Sequence, residues 1–345
     1  MHWEPGSFIE AASFDGYALG APRIQRVMVR FMADENAVLA SILARETDIA
    51  PDGSVQFNTG VVVRREWATT HAGTVLIAGT QHEGTYPQFR PEYLSNPALL
   101  DVRVRKALAY SIDKQSLNDG LFDGEWTMAD NILNPGIEYA AQVAPQVTTY
   151  PFDTRRAEQL LADAGFARGS DGVYTSGSLG RLAFEHEVND GQQNVDEGSI
   201  ISRGWRDLGL DVQEAVLPRA QIQNGEVRNT FPGIFTYSGN GDETTLDNFI
   251  TDQIGRPVNH WAGNNRGGWV SADYDRLDEA FSTTLDPVAR VQNATEMVKL
   301  VNDELPVITL YFRPRLVPFV AALRGPTRLS PKGWVGANIQ EWEWQ

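Results

Sequence analysis

The sequence predicts a mixed α/β protein built around more than one hydrophobic core. Three observations predict it. At 345 residues the chain is longer than one core ordinarily serves. Apolar runs of period two and apolar stripes of period 3.6 interchange along its whole length, so strands and helices are mixed rather than segregated. The composition, 42% hydrophobic and 21% charged, is that of an ordinary globular chain. No apolar run approaches the ~18 residues that a membrane-spanning helix needs.

Residues 26–31 (RVMVRF) alternate and suit a strand. Asp34, Glu35 and Asn36 then open a helix with Val38, Leu39, Ile42 and Leu43 on one face. A short edge is expected at 47–50, and two further strands at 56–64 and 74–78. From Asn96 the pattern turns helical. Asp101 is a good N-cap, and Val104, Ala107, Leu108 and Ile112 fall on one stripe. A second helix spans 153–164, with Leu160 and Leu161 inward and Gly165 just past its end. A third covers 195–208 and stops at Gly209, after which 210–216 alternate as a strand. A strand, a glycine-rich loop and a turn follow over 234–247. Two more helices are predicted over 272–283 and 287–303. Pro306 ends the second, and 307–312 read as a buried strand.

Composition and motifs exclude several classes of function. The 45 acidic and 29 basic residues give a formal charge of −16. A duplex-binding surface needs a positive field, so no nucleic acid partner is expected. The absence of cysteine excludes disulfides, thiolate metal sites and a Cys nucleophile. The opening residues carry no basic and apolar leader, so no signal peptide is expected in this stretch. There is no G-x-S-x-G, no Walker A loop and no G-x-G-x-x-G, and no cofactor is expected. His2, His71, His82, His186 and His260 never pair at the helix-face spacing of a metal site. His186 stands between Glu185 and Glu187, a pattern open to a metal but better read as a solvent-facing pair of carboxylates. Gly239-Asn240-Gly241-Asp242 lacks the frame and closing glutamate of a calcium loop. In NNRGGW, residues 264–269, Gly267 and Gly268 could cradle an anion with Arg266 or simply make a tight turn.

Aromatic residues are the more informative excess, with nine Trp, ten Tyr and fifteen Phe. Trp126, Tyr237, Trp261, Trp269 and Trp334 stand in apparent loops, several beside Gly or Asn. Most aromatics are core, but such loop aromatics also make walls for an organic ligand. With no nucleophile, metal cluster or phosphate loop, the balance favours binding over catalysis. The surviving enzyme reading is a hydrolase using paired carboxylates, Glu185 with Glu187 or Asp242 with Glu243. A pair at i, i+2 on a strand sits ~7 Å apart, within glycosidase range.

Five segments carry a resemblance. Residues 101–113 read DVRVRKALAYSID, 150–166 YPFDTRRAEQLLADAGF, 205–210 WRDLGL and 304–311 ELPVITLY, while Tyr274-Asp275-Arg276-Leu277-Asp278 is followed by Asp286 and Arg290. In their chain order they resemble the extracellular solute-binding proteins of ABC transporters, family 5, the peptide/nickel/oligosaccharide class, over about the whole chain. The resemblance implies a two-lobed periplasmic binding protein-like fold (class II, cluster C). This stretch would hold lobe III at 91–305 and a partial lobe I at 1–90. Residues 306–345 would be the return strand and C-terminal part of lobe I. It also implies crossings near 86–93 and 305–312, closure by hinge motion, and a longer upstream segment with the leader. The implied function is the substrate-binding component of an ABC importer, without catalysis, periplasmic or at the cell surface. Its implied partners are a peptide or other small organic solute and the permease subunits in the membrane.

The resemblance also locates a site. In peptide-binding relatives an Asp in the loop after a strand ending in G-W holds the ligand's α-amino group by a charge-assisted bond. The matching loop here is FTYSGNGD, residues 235–242, and Asn240 stands in that Asp's place. In dipeptide binders an Arg ahead of the W-x-x-L-G helix holds the ligand carboxylate. Val188-Asn189-Asp190-Gly191 offers none. The expected site is Tyr237, Ser238, Gly239, Asn240 and Asp242, with Trp261, Arg266 and Trp269 beside them. Asp242 or Arg266 could substitute as charge anchors. A free dipeptide fits this loop poorly. Longer peptides, an oligosaccharide or another neutral solute remain open.

Overall fold

The computed structural model describes residues 1–51, 53–327 and 335–345, and Trp334 lies outside the described residues. The chain forms two compact units, Met1–Thr80 with Pro314–Gln345, and Gln81–Arg313.

The first unit opens with β1 (His2–Glu4), β2 (Phe8–Ala12) and β3 (Arg26–Arg30), an antiparallel sheet of three. β3 is the strand expected from RVMVRF, yet no residue of it is buried. α1 (Glu35–Leu43) starts where Asp34 accepts the Ala37 N–H at 3.0 Å. The strand expected over 56–64 is instead a helix, α2 (Phe57–Thr70). Three successive valines favour a strand locally. Packing decides otherwise, because Phe57, Gly60, Val61 and Trp67 recur at helical spacing and are all buried. Gly60 sits against Leu316, where an added Cβ would lie 2.3 Å from Leu316 Cδ2. Trp67 packs with Ile42 and Val63. β4 (Gly73–Pro87) follows, much longer than the 74–78 expected, and the chain leaves the first unit within it.

In the second unit Asp101 caps α3 (Val102–Tyr110) by accepting the Arg103 N–H at 2.8 Å. Val104, Ala107 and Leu108 form its buried face, as expected. α4 (Lys114–Phe122) and α5 (Ala140–Val143) lead to α6 (Thr154–Asp163), which Asp153 caps and which packs on α3. A small meander, β5 (Ala167–Arg168), β6 (Tyr174–Ser176) and β7 (Gly180–Arg181), precedes a β-α-β unit. That unit is β8 (Ala183–Asn189), α7 (Gln192–Leu208) and β9 (Asp211–Leu217), with β8 and β9 parallel. α8 (Gly225–Asn229), β10 (Ile234–Ser238), α9 (Ala272–Thr283) and α10 (Pro287–Glu304) complete it. β11 (Ile308–Val320) then carries the chain back into the first unit. There β12 (Leu323–Arg324) pairs with β13 (Glu343–Trp344), and Val317, Phe319, Leu323 and Trp342 form a small core.

The main sheet has the order β11-β4-β10-β8-β9, with β10 parallel to β8 and antiparallel to β4. Side chains alternate along β10, so Phe235 and Tyr237 share one face and Thr236 and Ser238 the other. The first face joins the main core, with Tyr86, Phe231, Phe249, Trp269, Tyr274 and Met297. The second faces α7. There His186 of β8 is buried between Ser202 of α7 (2.7 Å) and Thr236 of β10 (2.8 Å). Burial holds its pKa down to about 3, against a small opposing pull from Glu214. His186 is therefore a satisfied core histidine, and the alternation puts Glu185 and Glu187 on the sheet face away from it.

Candidate functional site

The candidate site starts where β10 ends. The Gly239 N–H donates to the His82 carbonyl of β4 at 2.8 Å, which continues the ladder one residue into the loop. The His82 side chain then holds the next peptide. Its Nδ1 donates to the Asn240 carbonyl at 2.8 Å, and its Nε2 accepts from the Tyr86 hydroxyl at 2.6 Å. A carbonyl can only accept, so the Asn240 contact sets the tautomer. Burial keeps this imidazole neutral, with its pKa lowered to about 4, while the hydrogen bond to Asn240 pulls the other way.

Within the loop Asn240 is partly committed. Its Nδ2 donates to the Thr244 carbonyl (3.3 Å), the Thr244 hydroxyl (3.1 Å) and Asn248 Oδ1 (3.0 Å). Its Oδ1 accepts no hydrogen bond among the described residues. Asn240 thus offers an acceptor without charge. Asp242 accepts from the Thr244 hydroxyl at 2.5 Å. Glu243 forms a two-pronged pair with Arg290, at 2.9 and 2.7 Å. Both carboxylates of the Asp242–Glu243 pair are therefore occupied in holding the loop.

The two faces of β10 lead to different surroundings. Ser238 donates to Glu83 (2.7 Å) and accepts from Arg313 (3.0 Å), whose guanidinium also reaches Asn194 at 2.9 Å. Tyr237, on the other face, is stacked on Tyr86 with ring centroids 3.9 Å apart. The Arg266 guanidinium lies 4.1 Å from the Tyr237 ring centroid. The structure thus brings Tyr237 to Asp242 and Arg266 together. Trp269 is not a wall: it is 3% exposed, belongs to the main core, and its Nε1 donates to Glu304 at 2.9 Å. Trp261 is half-buried beside Tyr93, with ring centroids 6.4 Å apart. The Glu185–Glu187 pair lies on β8, and burial, with Glu185 adding to it, raises Glu187 to about 7.

Three residues that local pattern could not single out also shape this region: His82, Arg90 and Arg228. Arg90 donates to Gln88 Oε1 (3.1 Å) and to the carbonyls of Gly255 (2.9 Å), Asn229 and Arg266 (2.7 Å). It ties the end of α8 to the NNRGGW loop. Such contacts between distant segments leave no spacing to read in the sequence.

A mixed sheet with a parallel β-α-β edge, and a strand ending in a Gly/Asn loop, place the chain in the mixed α/β class. Solved structures share this fold. NikZ from Campylobacter jejuni, in complex with Ni(L-His), aligns with a TM-score of 0.78 at 18% identity, covering 99% of this chain and 66% of that one. The oligopeptide-binding protein from Thermus thermophilus, complexed with a pentapeptide, aligns at 0.77 and 22%, covering 99% and 61%. The fold is that of periplasmic binding proteins. Residues 1–255 match the family described as bacterial extracellular solute-binding proteins, family 5 Middle, and the chain belongs to that family. Similar curated proteins include heme-binding protein A of Haemophilus influenzae, 26% identical over 240 residues, covering 68% of this chain and 40% of that protein. The dipeptide-binding protein of Escherichia coli is 21% identical over 341 residues, covering 97% and 57%. The chain therefore spans about half the length of these curated relatives. The family is one of solute-binding proteins of ABC importers, not of enzymes, and the hydrolase reading of the carboxylate pairs is set aside.

Proposed function

We propose that this chain serves in the substrate-binding component of an ABC importer that takes up peptides. It would work outside the cytoplasmic membrane and deliver its ligand to membrane permease subunits. Family membership and the peptide-binding relatives support this reading. So does the loop at Tyr237–Asp242, which lies in the unit Gln81–Arg313, the counterpart of the expected lobe III.

The observation that carries the binding mode is the free Oδ1 of Asn240 on a loop whose backbone His82 holds rigid. A rigid acceptor loses little freedom when a ligand N–H arrives. Being neutral, it accepts from an amine and from an amide alike. Binding should therefore depend little on the ligand's free amine. The test is calorimetry on the whole chain with tri- to penta-alanine, free and N-acetylated. The wild type should bind both forms comparably. Asn240→Asp should favour the free amine by about 1.5–3 kcal/mol, the worth of a charge-assisted bond. A wild type that strongly rejects acetylated peptides would show that another acid holds the amine.

A further inference from the structure

Two arginines of the second unit stand near each other without a carboxylate. Arg228 lies in α8 and Arg266 in the loop that leads to α9. Among the described residues neither side chain forms an ion pair, although the chain carries 45 acidic residues. Arg228 Nε is buried and has no hydrogen-bond partner, and the same holds for the Tyr237 hydroxyl. Burial lowers the pKa of Arg228 first, and the like charge of Arg266 lowers it further. The Arg266 guanidinium rests 4.1 Å from the Tyr237 ring centroid, and the stacked Tyr86 backs that ring.

The arrangement is enforced from behind. Arg90 donates to the main-chain oxygen of Asn229, the residue after Arg228, and to that of Arg266 itself at 2.7 Å. One guanidinium thus clamps the two arginine-bearing segments side by side. Four of the five N–H donors of Arg90 are engaged by these carbonyls, Gly255 and Gln88, so it holds the pair without joining it. Buried donors without acceptors and unpaired like charges both cost stability. A flat, two-pronged anion would relieve all of it, since guanidinium groups match the geometry of a carboxylate and the phenol adds a third donor.

We infer that Arg228, Arg266 and Tyr237 form an oxyanion site, and that its occupant, on the peptide reading proposed above, is the ligand's terminal carboxylate. The site differs in position from the stretch 188–191, where the resemblance would place a carboxylate-holding Arg and this chain has none.

The test uses the whole chain with two probes. Tri- to penta-alanine, as free acids and as C-terminal amides, are measured by calorimetry. Sodium sulfate is compared with sodium chloride at equal ionic strength by thermal unfolding. The free acids should bind at least about tenfold tighter than the amides, as a charge-assisted pair requires. Arg228→Gln and Arg266→Gln should each abolish that preference, and Tyr237→Phe should weaken it. Sulfate should raise the wild-type midpoint beyond chloride, an excess lost in both Gln variants and kept in the exposed control Arg219→Gln. Circular dichroism checks folding, and the Lys variant at the same position, Arg228→Lys or Arg266→Lys, replaces a Gln variant that fails to fold. Its single ammonium should weaken the preference without removing it. Equal binding of acid and amide, or a preference unchanged in both variants, overturns the inference while leaving peptide binding intact. If neither peptide form binds but the sulfate excess follows the arginines, the oxyanion site stands and the peptide reading falls. If neither peptide nor sulfate is held, both fall.

Discussion

Gly239 lies so close to the ring of His82 that a Cβ at position 239 would come 2.0 Å from His82 Cε1. The ring cannot move aside cheaply, because both its nitrogens are hydrogen-bonded, to the Asn240 carbonyl and the Tyr86 hydroxyl. Gly239→Ala should therefore destabilise the protein by roughly 1–3 kcal/mol, the usual cost of overpacking. In a His82→Ala background the same change should cost much less, because the obstructing ring is gone. Urea unfolding of the four proteins in this cycle measures the coupling. Additive costs would show that the close approach does not limit position 239.

The two buried histidines set the acid side of the stability profile. The folded pKa values of His82 and His186 are lowered to about 4 and about 3, from an ordinary value of 6.5. The unfolded chain takes up these protons first. Stability is thus full above pH 6.5 and falls as the pH drops towards 4 and 3. The depressed pKa of His82 alone corresponds to roughly 3 kcal/mol over that window. Replacing His186 by Gln should flatten the slope of unfolding free energy between pH 6.5 and 4, whatever it does to stability at pH 7. An unchanged slope would mean that the carboxylates dominate acid unfolding.

Glu197 works in the opposite direction. It is fully buried in α7, and neither of its carboxylate oxygens has a hydrogen-bond partner. Arg313 is engaged by Glu83, 3.3 Å away. Burial, and then the charge of Glu83, push the Glu197 pKa well up, against a weaker pull from Arg313. The folded state therefore keeps a proton that the unfolded chain loses at ordinary carboxylate pH. The stability tied to that proton is present at low pH and is lost as the pH rises towards the raised value. Glu197→Gln keeps the shape and removes the titration. The variant should gain on the wild type as the pH rises above the ordinary carboxylate range in chemical unfolding. Parallel profiles would show Glu197 to be ionised in the folded protein.

The parts of the fold that are legible in the sequence are those set by local chemistry. Asp34, Asp101 and Asp153 mark helix starts because a short carboxylate reaches the free N–H groups of the first turn. Gly209 ends α7 for a similarly local reason. The departures come from tertiary packing. Val61, Val62 and Val63 look like a strand, yet the burial of Phe57, Val61 and Trp67 on one side makes them helical. The strand pattern of β3 implies a buried face that is absent from the structure. At the site, the glycine-rich loop is visible because it is contiguous. Trp269 misleads because a Trp beside glycines looks like a wall, while its indole N–H is in fact satisfied by Glu304 inside the core. Arg228 is invisible because contacts between distant segments, the Arg90 clamp among them, bring it to Arg266.

That clamp gives the last prediction. Arg90 serves four acceptors with one planar group: Gln88 Oε1 and the carbonyls of Gly255, Asn229 and Arg266. A lysine keeps the charge, but its ammonium is compact and cannot span carbonyls on three separate segments. The Asn229 carbonyl keeps Gln88 Nε2 and Gln88 Oε1 keeps the Arg90 main-chain N–H, so Arg90→Lys should leave the Gly255 or the Arg266 carbonyl unserved, at a cost of about 1–3 kcal/mol. The damage should be local. Hydrogen exchange should quicken in residues 225–230 and 264–269, which the clamp joins, while the parallel pair β8 and β9, which shares no hydrogen bond with Arg90, keeps its protection. The loss should also reach the oxyanion site, since Arg228 and Arg266 are placed by the same carbonyls. The preference of the protein for free-acid over amidated peptides should then fall in Arg90→Lys although both arginines remain. Faster exchange spread evenly over the whole unit would mean that Arg90 supports global stability, with no particular role in setting the arginine pair.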